Sequence, residues 1–416
     1  VSLAWKCMTT SRRSLILLVT QVYPPDPAAV GQYMAEVAEE LVDQGHAVLV
    51  LTSDRGYDNH AIRLPRHESR AGVRVWRLPL TSFGKGSLTS RLVGGLSLVG
   101  QALVVGLLHR DVRSALLTTS PPLGGAVGVA LNAIRGLPFD FWLMDLNPDQ
   151  AVALGHVPSE AVSVRLFDAL NRQILKRARS VLALDGVMAK RFQRKLGSSK
   201  AVEVLPLWPL RESRSPTEWG IQTFLAAHEC QGKRVIMHAG NHSIAHPLDT
   251  LLEAARRIGE TTNLRFLFVG GGLGKKSIDR WVQSEAPRHV LSLPYQPIER
   301  LGDVLGAATV QVVAVGAETV GIVHPSKLYG ALAAGRPILI LGPRDCPAAQ
   351  LVIDSRLGWH VEHGDINGML STLAQVATLL DDELAQIANR VHALANAEYS
   401  RAELLGRMVK AITHER

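Results

Sequence analysis

Cysteine is scarce in this chain. Its 416 residues hold three, Cys7, Cys230 and Cys346, widely separated and with no Cys-x-x-Cys pair. That excludes a disulfide framework and a cysteine zinc ribbon, and it fits reduced thiols in a cytosolic protein. Aromatic residues make up 5% and few are interleaved with the basic ones. With no recognition motif beside them, no nucleic-acid partner is expected. Long apolar runs are also missing. The charge-free stretch Leu92 to Leu108 is at the short edge for a membrane span and is broken by Gly94, Gly95, Gly100, Gln101 and Gly106. It reads as a buried helix, with a membrane-surface helix as the second reading, and no transmembrane segment is expected. Arg12-Arg13 before Leu15–Val19 imitates a signal peptide, but Tyr23-Pro-Pro25 cuts the apolar run short. That run reads as a first buried strand. There is no Gly-x-Ser-x-Gly elbow and no repeat of short period. The chemistry is therefore expected to rest on positioning and electrostatics.

What is present is an apolar fraction of 47%, enough to fill the cores of two domains, and a formal charge of +8. A basic excess of this size fits anionic headgroups or anionic substrates. Apolar runs such as Leu15–Val19, Ala47–Leu51, Ser114–Thr118 and Phe139–Met144 alternate with helical periodicity over Gln32–Gln44, Gly124–Ile134, Val162–Arg177 and Gly186–Leu196. The pattern restarts after a polar stretch. It continues with strands at Arg234–His238, Leu264–Val269, Val290–Leu293, Val310–Val315, Ile338–Leu341 and Gly358–Val361. Such alternation predicts an α/β protein with two doubly wound parallel sheets facing across a cleft. The expected division is a first domain over 14–210, a linker over 211–232, a second domain over 233–395 and a terminal helix over 396–416. That last helix is expected to pack back on the first domain.

In doubly wound sheets ligands sit at the carboxyl ends of the strands, so the loops there carry the candidates. The segment Val323 to Pro337 opens a helix at Pro325-Ser326 and stops it at Gly335. Lys327 beside free N–H groups makes an anion site, most naturally for a diphosphate, with a capped helix and a solvated lysine as the plain alternative. Gly240-Asn241 ends the first strand of the second half and could meet phosphate or sugar hydroxyls, as could His242; a simple turn is the alternative. His242 and His246 have the spacing of a helical metal pair, but Pro247 argues against a helix there. Gly270-Gly-Gly272 follows a strand and opens a helix without Walker spacing, so it reads either as a nucleotide loop or as a flexible turn. In the first half, Tyr23, Pro24 and Gly31 follow the first strand, and Asp145-Leu-Asn147-Pro-Asp149 follows another. Asp145 reads as an acid, a base or a hydroxyl binder, and Asp149 as a helix N-terminal charge.

The order of these motifs resembles that of bacterial glycosyltransferases of family 4, with the GT-B fold, in the branch that assembles O-antigen, colanic acid and other exopolysaccharides. The matching segments are Val19 to Asp26, Leu41 to Thr52, Thr119 to Pro122, Asp145 to Gly155, Val204 to Trp208, His238 to Asn241, Phe268 to Gly271 and Pro325 to Pro337. The resemblance implies a retaining enzyme that needs no cofactor or metal. It implies a UDP- or GDP-sugar donor on the C-terminal domain and a lipid-linked glycan acceptor on the N-terminal one. It also implies a cytoplasmic protein held at the inner face of the membrane. Carried over by position, the donor side comprises Gly240, Asn241, His242, Gly270, Gly271, Gly272, His324, Ser326, Lys327 and Leu328. The acceptor side comprises Tyr23, Pro24, Gly31, Asp145 and Asn147, and Lys327 and Asp145 are the catalytic pair.

The chain departs from the family at two carboxylates. A Glu-x7-Glu pair common there falls at Ile322 and Gly330, and Glu318 is out of register. An Arg and Lys usual after the first strand of the second domain are replaced near Asn241 and Ala245. A sugar-nucleotide epimerase or hydrolase, and a non-catalytic partner in polysaccharide assembly, stand as alternative readings.

Overall fold

The computed structural model describes residues 14–414 apart from 27, 57–60, 82–87, 212–215 and 261. Of the basic clusters, Arg12-Arg13 lies outside the described residues.

The N-terminal sheet holds β1 (Leu15–Val19), β2 (Ala47–Ser53), β3 (His67–Arg70), β4 (Val73–Leu78), β5 (Val112–Thr118), β6 (Phe139–Leu143), β7 (Val181–Ala183) and β8 (Glu203–Val204). Their spatial order is β3-β4-β2-β1-β5-β6-β7-β8. All neighbours are parallel except the edge pair β3 and β4. The C-terminal sheet holds β9 (Arg234–Asn241), β10 (Leu264–Gly271), β11 (Val290–Leu293), β12 (Val310–Ala314), β13 (Ile338–Leu341) and β14 (Gly358–Val361). Its order is β11-β10-β9-β12-β13-β14, wholly parallel. Strands such as β1, β6 and β13 are buried along their whole length, as a parallel sheet covered on both faces requires. The direction of winding reverses between β1 and β5 in one sheet and between β9 and β12 in the other. Those two switch points are where loops part and leave a crevice.

Two expectations change. The polar stretch read as a linker contains a helix, Glu218–Ala227, capped by the Thr217 hydroxyl, which accepts from the Gly220 N–H at 3.1 Å. Ile221 and Phe224 pack with Cys230, Val235 and Met237 of the C-terminal sheet, so this segment belongs to that domain's core. Second, β9 and β10 run on past their apolar parts. Pairing continues through Gly240 with Gly270 and Asn241 with Gly271, because glycine tolerates the backbone these positions adopt.

The chain also returns on itself. Helix Arg401–Thr413 buries Leu404, Leu405, Met408, Val409 and Ile412 in the core that surrounds β1. Arg401 donates to buried Glu36 at 2.7 Å, and Trp208 donates to the same carboxylate at 2.8 Å. The apolar core runs unbroken from the N-terminal sheet to Ile322, Leu328, Tyr329 and Leu332 of the C-terminal domain.

Candidate functional site

The two domains meet at their strand ends. Asp145, just past β6, pairs with Val323 as an isolated antiparallel bridge, and the Leu146 N–H donates to the Ile322 carbonyl at 2.8 Å. This contact brings the loop after β6 against the segment that leads into helix Lys327–Ala334.

On the C-terminal side the lysine chain of Lys327 crosses the end of β9. Its Nζ donates to the Asn241 carbonyl at 2.7 Å. A Cβ on Gly240, whose φ is +112°, would sit 3.3 Å from the Lys327 Cε, so the lysine lies directly over bare backbone. Part of the lysine reaches solvent, yet the ammonium is deep enough that burial lowers its pKa to about 8. Among the described residues the Asn241 carbonyl is its one hydrogen-bond partner, which leaves two N–H groups for a ligand.

The glycine loop after β10 lies on this same strand end. The His242 N–H donates to Gly271 O at 2.7 Å, and the Gly274 N–H returns to His242 O at 2.8 Å. A Cβ on Gly270 would come within 2.1 Å of the Gly240 carbonyl oxygen. These glycines are therefore needed for the two loops to pack together. The His242 ring is buried beneath, its Nδ1 donating to Gly240 O at 3.0 Å, and it meets His238 edge-on at 4.8 Å. Burial, with the Lys327 charge second, pushes the His242 pKa down to about 4 and that of His246 to about 3. Among the described residues no group of three or more His, Cys, Asp or Glu side chains is placed to hold a metal.

The acceptor-side candidates divide. Asp145 sits at the junction, half-buried, with its N–H donating to the Thr119 hydroxyl at 3.1 Å. Burial raises its carboxyl pKa to about 6 against a small opposing pull from His324. Tyr23 is 2% exposed and belongs to the core, so it offers no side-chain surface to a ligand. The Pro24 carbonyl accepts from fully buried Arg77 at 2.7 Å. Gly31 is the close approach of a helix to the backbone of Val22 and Tyr23, and the Asn147 carbonyl accepts from Asn171 at 2.7 Å. Asp149 is a first-turn helix charge, paired with Lys195 at 2.6 Å. On the donor side Leu328 is buried too, leaving only its backbone toward the helix start. That start is wound tightly: the Leu328 and Tyr329 N–H groups are turned onto Pro325 O and Ser326 O.

Sequence reasoning missed Asp185. It caps helix Gly186–Leu196, accepting from the Met188 N–H at 2.8 Å, and its other oxygen accepts from His324 Nδ1 at 2.9 Å. His324 Nε2 meets the Tyr329 hydroxyl at 2.8 Å. Burial would raise the Asp185 carboxyl, but the hydrogen bond and charge of His324 and the capped N–H groups hold it below the usual range. The strand–Asp–Gly–helix pattern signals a cap; nothing in it signals a partner on the other domain. The two carboxylate positions usual in the family are filled otherwise. Ile322 is 1% exposed, and a Cβ on Gly330 would meet Leu305 at 3.3 Å.

Known proteins bear this geometry out at the level of family and fold. Residues 28–208 match the glycosyl transferase 4-like domain, and residues 224–395 match glycosyl transferases group 1. The chain is 26% identical over 326 residues to the putative colanic acid biosynthesis glycosyl transferase WcaI of Escherichia coli, covering 75% of this chain and 79% of that one. Among solved structures, the sucrose-phosphate synthase of Thermosynechococcus elongatus superposes with a TM-score of 0.76 at 18% identity, over 97% of this chain and 99% of that one. Anabaena HepE in complex with UDP-glucose gives 0.70 at 14% identity, over 96% and 100%. The chain belongs to the family-4 type of glycosyltransferases and has their two-domain GT-B fold.

Proposed function

We propose that this glycosyltransferase moves a sugar, with retention of anomeric configuration, from a nucleotide-sugar donor to a lipid-linked glycan during surface polysaccharide assembly. The observation that carries the reading is the Lys327 ammonium, laid over Gly240 at the switch point with two N–H groups unspent. Leaving diphosphate gathers negative charge as the glycosidic bond loosens, and a fixed cation at a helix start stabilises that charge most where water is scarce. The donor class is supported by HepE, solved with UDP-glucose, and the pathway by the colanic-acid relative. Asp145, across the junction, is the group proposed to receive the proton of the acceptor hydroxyl. A cytoplasmic place at the inner membrane face follows from a lipid-linked acceptor; among the described residues no helix is long and apolar enough to cross a membrane. No metal is required in this scheme.

A non-catalytic partner role has one observation in its favour, the packed positions Ile322 and Gly330 where relatives carry carboxylates. Thermal shift against UDP-, GDP-, dTDP- and CDP-sugars separates the two, on wild type and Lys327→Ala. A donor that stabilises only the wild type supports transfer and names the nucleotide. No shift with any donor selects the partner role.

A further inference from the structure

The segment Gly321 to Tyr329 belongs to the C-terminal domain, yet it is gripped from the N-terminal one. Gly321 has a φ of +67°, and a Cβ there would meet the Val187 side chain at 2.8 Å. The segment therefore runs tight against the first turn of helix Gly186–Leu196. Ile322 and Val323 then pair with Leu146 and Asp145. His324 follows and crosses to Asp185. Its side chain is 5% exposed, and both ring nitrogens are engaged, Nδ1 by the Asp185 carboxylate and Nε2 by the Tyr329 hydroxyl. That leaves neither nitrogen for a sugar or a phosphate.

Tyr329 carries the connection to the places where the chain passes between domains. It is 2% exposed, and a backbone hydrogen bond from Leu207 reaches its hydroxyl. Its ring lies 5.6 Å from that of His324 and 5.7 Å from that of Tyr399. Leu207 precedes the passage into the C-terminal domain, and Tyr399 precedes the return of helix Arg401–Thr413 to the N-terminal core. Between these anchors stands Lys327, whose own hydrogen bond, to the Asn241 carbonyl, stays within the C-terminal domain. Val323 is paired with Asp145, and Lys327 follows in the same short segment. The offset between the two groups is therefore set by how that segment is held. Rates depend steeply on such offsets, because a displacement of about 1 Å costs up to about 10²-fold.

We infer that His324 is a positioning residue for transfer: through Asp185 and Tyr329 it fixes the segment that aligns Asp145 with Lys327, and it does not bind the donor. The purpose rests on the roles proposed for those two groups; the placement does not. Hydrogen exchange and steady-state turnover of His324→Ala, His324→Asn and Tyr329→Phe test it. Exchange is read at the Leu146 amide, which donates to Ile322 O across the junction, against the His242 and Gly274 amides of the donor loops. Turnover is read as release of nucleoside diphosphate from UDP-, GDP-, dTDP- and CDP-sugars. His324→Ala and Tyr329→Phe are expected to speed exchange at Leu146 about tenfold and to leave the donor loops unchanged. kcat should fall about tenfold, with the donor KM and the donor thermal shift unchanged. His324→Asn keeps an N–H close to the Nδ1 position, so it should recover most of both losses. Tyr329→Phe keeps the ring and its packing, which holds the test open if the alanine variant fails to fold. Unchanged exchange at Leu146 in all three variants overturns the inference. So does a raised donor KM with kcat held, which would make His324 a donor ligand, or loosening spread equally over the donor loops. A failure of the donor reading would instead show as no nucleotide shift in the wild type, with the change at Leu146 still present.

Discussion

The two walls of the cleft are made of different materials. On the N-terminal wall, the loops after β1 and β6 are spent on structure: Tyr23 in the core, Pro24 holding Arg77, Asn147 holding Asn171. What remains chemically open there is carboxylate, Asp145. On the C-terminal wall, glycines strip the strand ends to backbone, and a lysine with three buried or half-buried histidines fills the space. One wall carries groups suited to taking a proton, the other a cation suited to a leaving diphosphate. The proposed transfer uses that division, with the acceptor on the first wall, the donor on the second and charge moving between them during the reaction.

The comparison is broken most severely by removing the cation. Lys327→Ala is expected to cost transfer about 10²- to 10³-fold in kcat/KM, the range for deleting one preorganised stabilising group. Its melting temperature should stay near that of the wild type, measured by calorimetry, because the ammonium is held by a single hydrogen bond. Gly270→Ala attacks the same wall by another route. The added methyl would meet the Gly240 oxygen at 2.1 Å in a backbone with φ of +124°. A loss of about 2–4 kcal/mol in urea unfolding is expected, with donor binding lost as the two loops part.

How much of this was legible depends on distance along the chain. β1 and the helix Gly186–Leu196 could be read end to end, since an apolar run marks the one and Asp185 and Gly197 cap the other; helix Val162–Arg177 was read to the same bounds from its periodicity, with alanines flanking it. Helix Glu218–Ala227 hid in a polar stretch after Pro216, although Ile221 and Phe224 are spaced as one face. β3 was missed because its residues, His67 to Arg70, are polar on both sides, as an edge strand can be. The turn Ala71-Gly72, with both φ positive, was the available signal. In the site, Lys327 and Gly240 were each legible as strand-end features. That the lysine chain lies over the glycine was not. The Asp185–His324 contact, 139 residues apart and on different domains, depends on how the sheets are juxtaposed, which no local pattern encodes.

The two walls should also titrate oppositely. Burial lifts Asp145 to about 6, so a base there gains its charge as pH rises through that value. Lys327, lowered to about 8 by burial, loses its charge above it. For the free enzyme, kcat/KM is expected to rise to a plateau between about pH 6 and about pH 8 and to fall about tenfold per unit beyond either limb. Lys327→Arg should remove the alkaline fall, because a guanidinium keeps its charge, and leave the acid limb in place. An alkaline limb that survives the substitution would assign it to another group.

The smallest effect expected is at the Asp185–His324 contact, which ties the walls together. Asp185→Asn keeps the cap on helix Gly186–Leu196, since asparagine caps as well as aspartate, but with its one amide oxygen at the cap it has no second oxygen to accept from His324 Nδ1. The charge and that one contact are lost. Because the folded carboxyl lies below its unfolded value, it contributes stability that is present above the unfolded carboxylate pKa. That contribution drains away as pH falls through the folded value. The variant should therefore lose about 1 kcal/mol at pH 7, read from urea unfolding, and its acid limb should be flatter than that of the wild type. At the lowest pH the two curves should converge, since the wild-type carboxyl is then protonated too. A constant gap at every pH would mean that the loss does not come from the carboxylate charge, and that a charged contact with His324 contributes nothing to joining the domains.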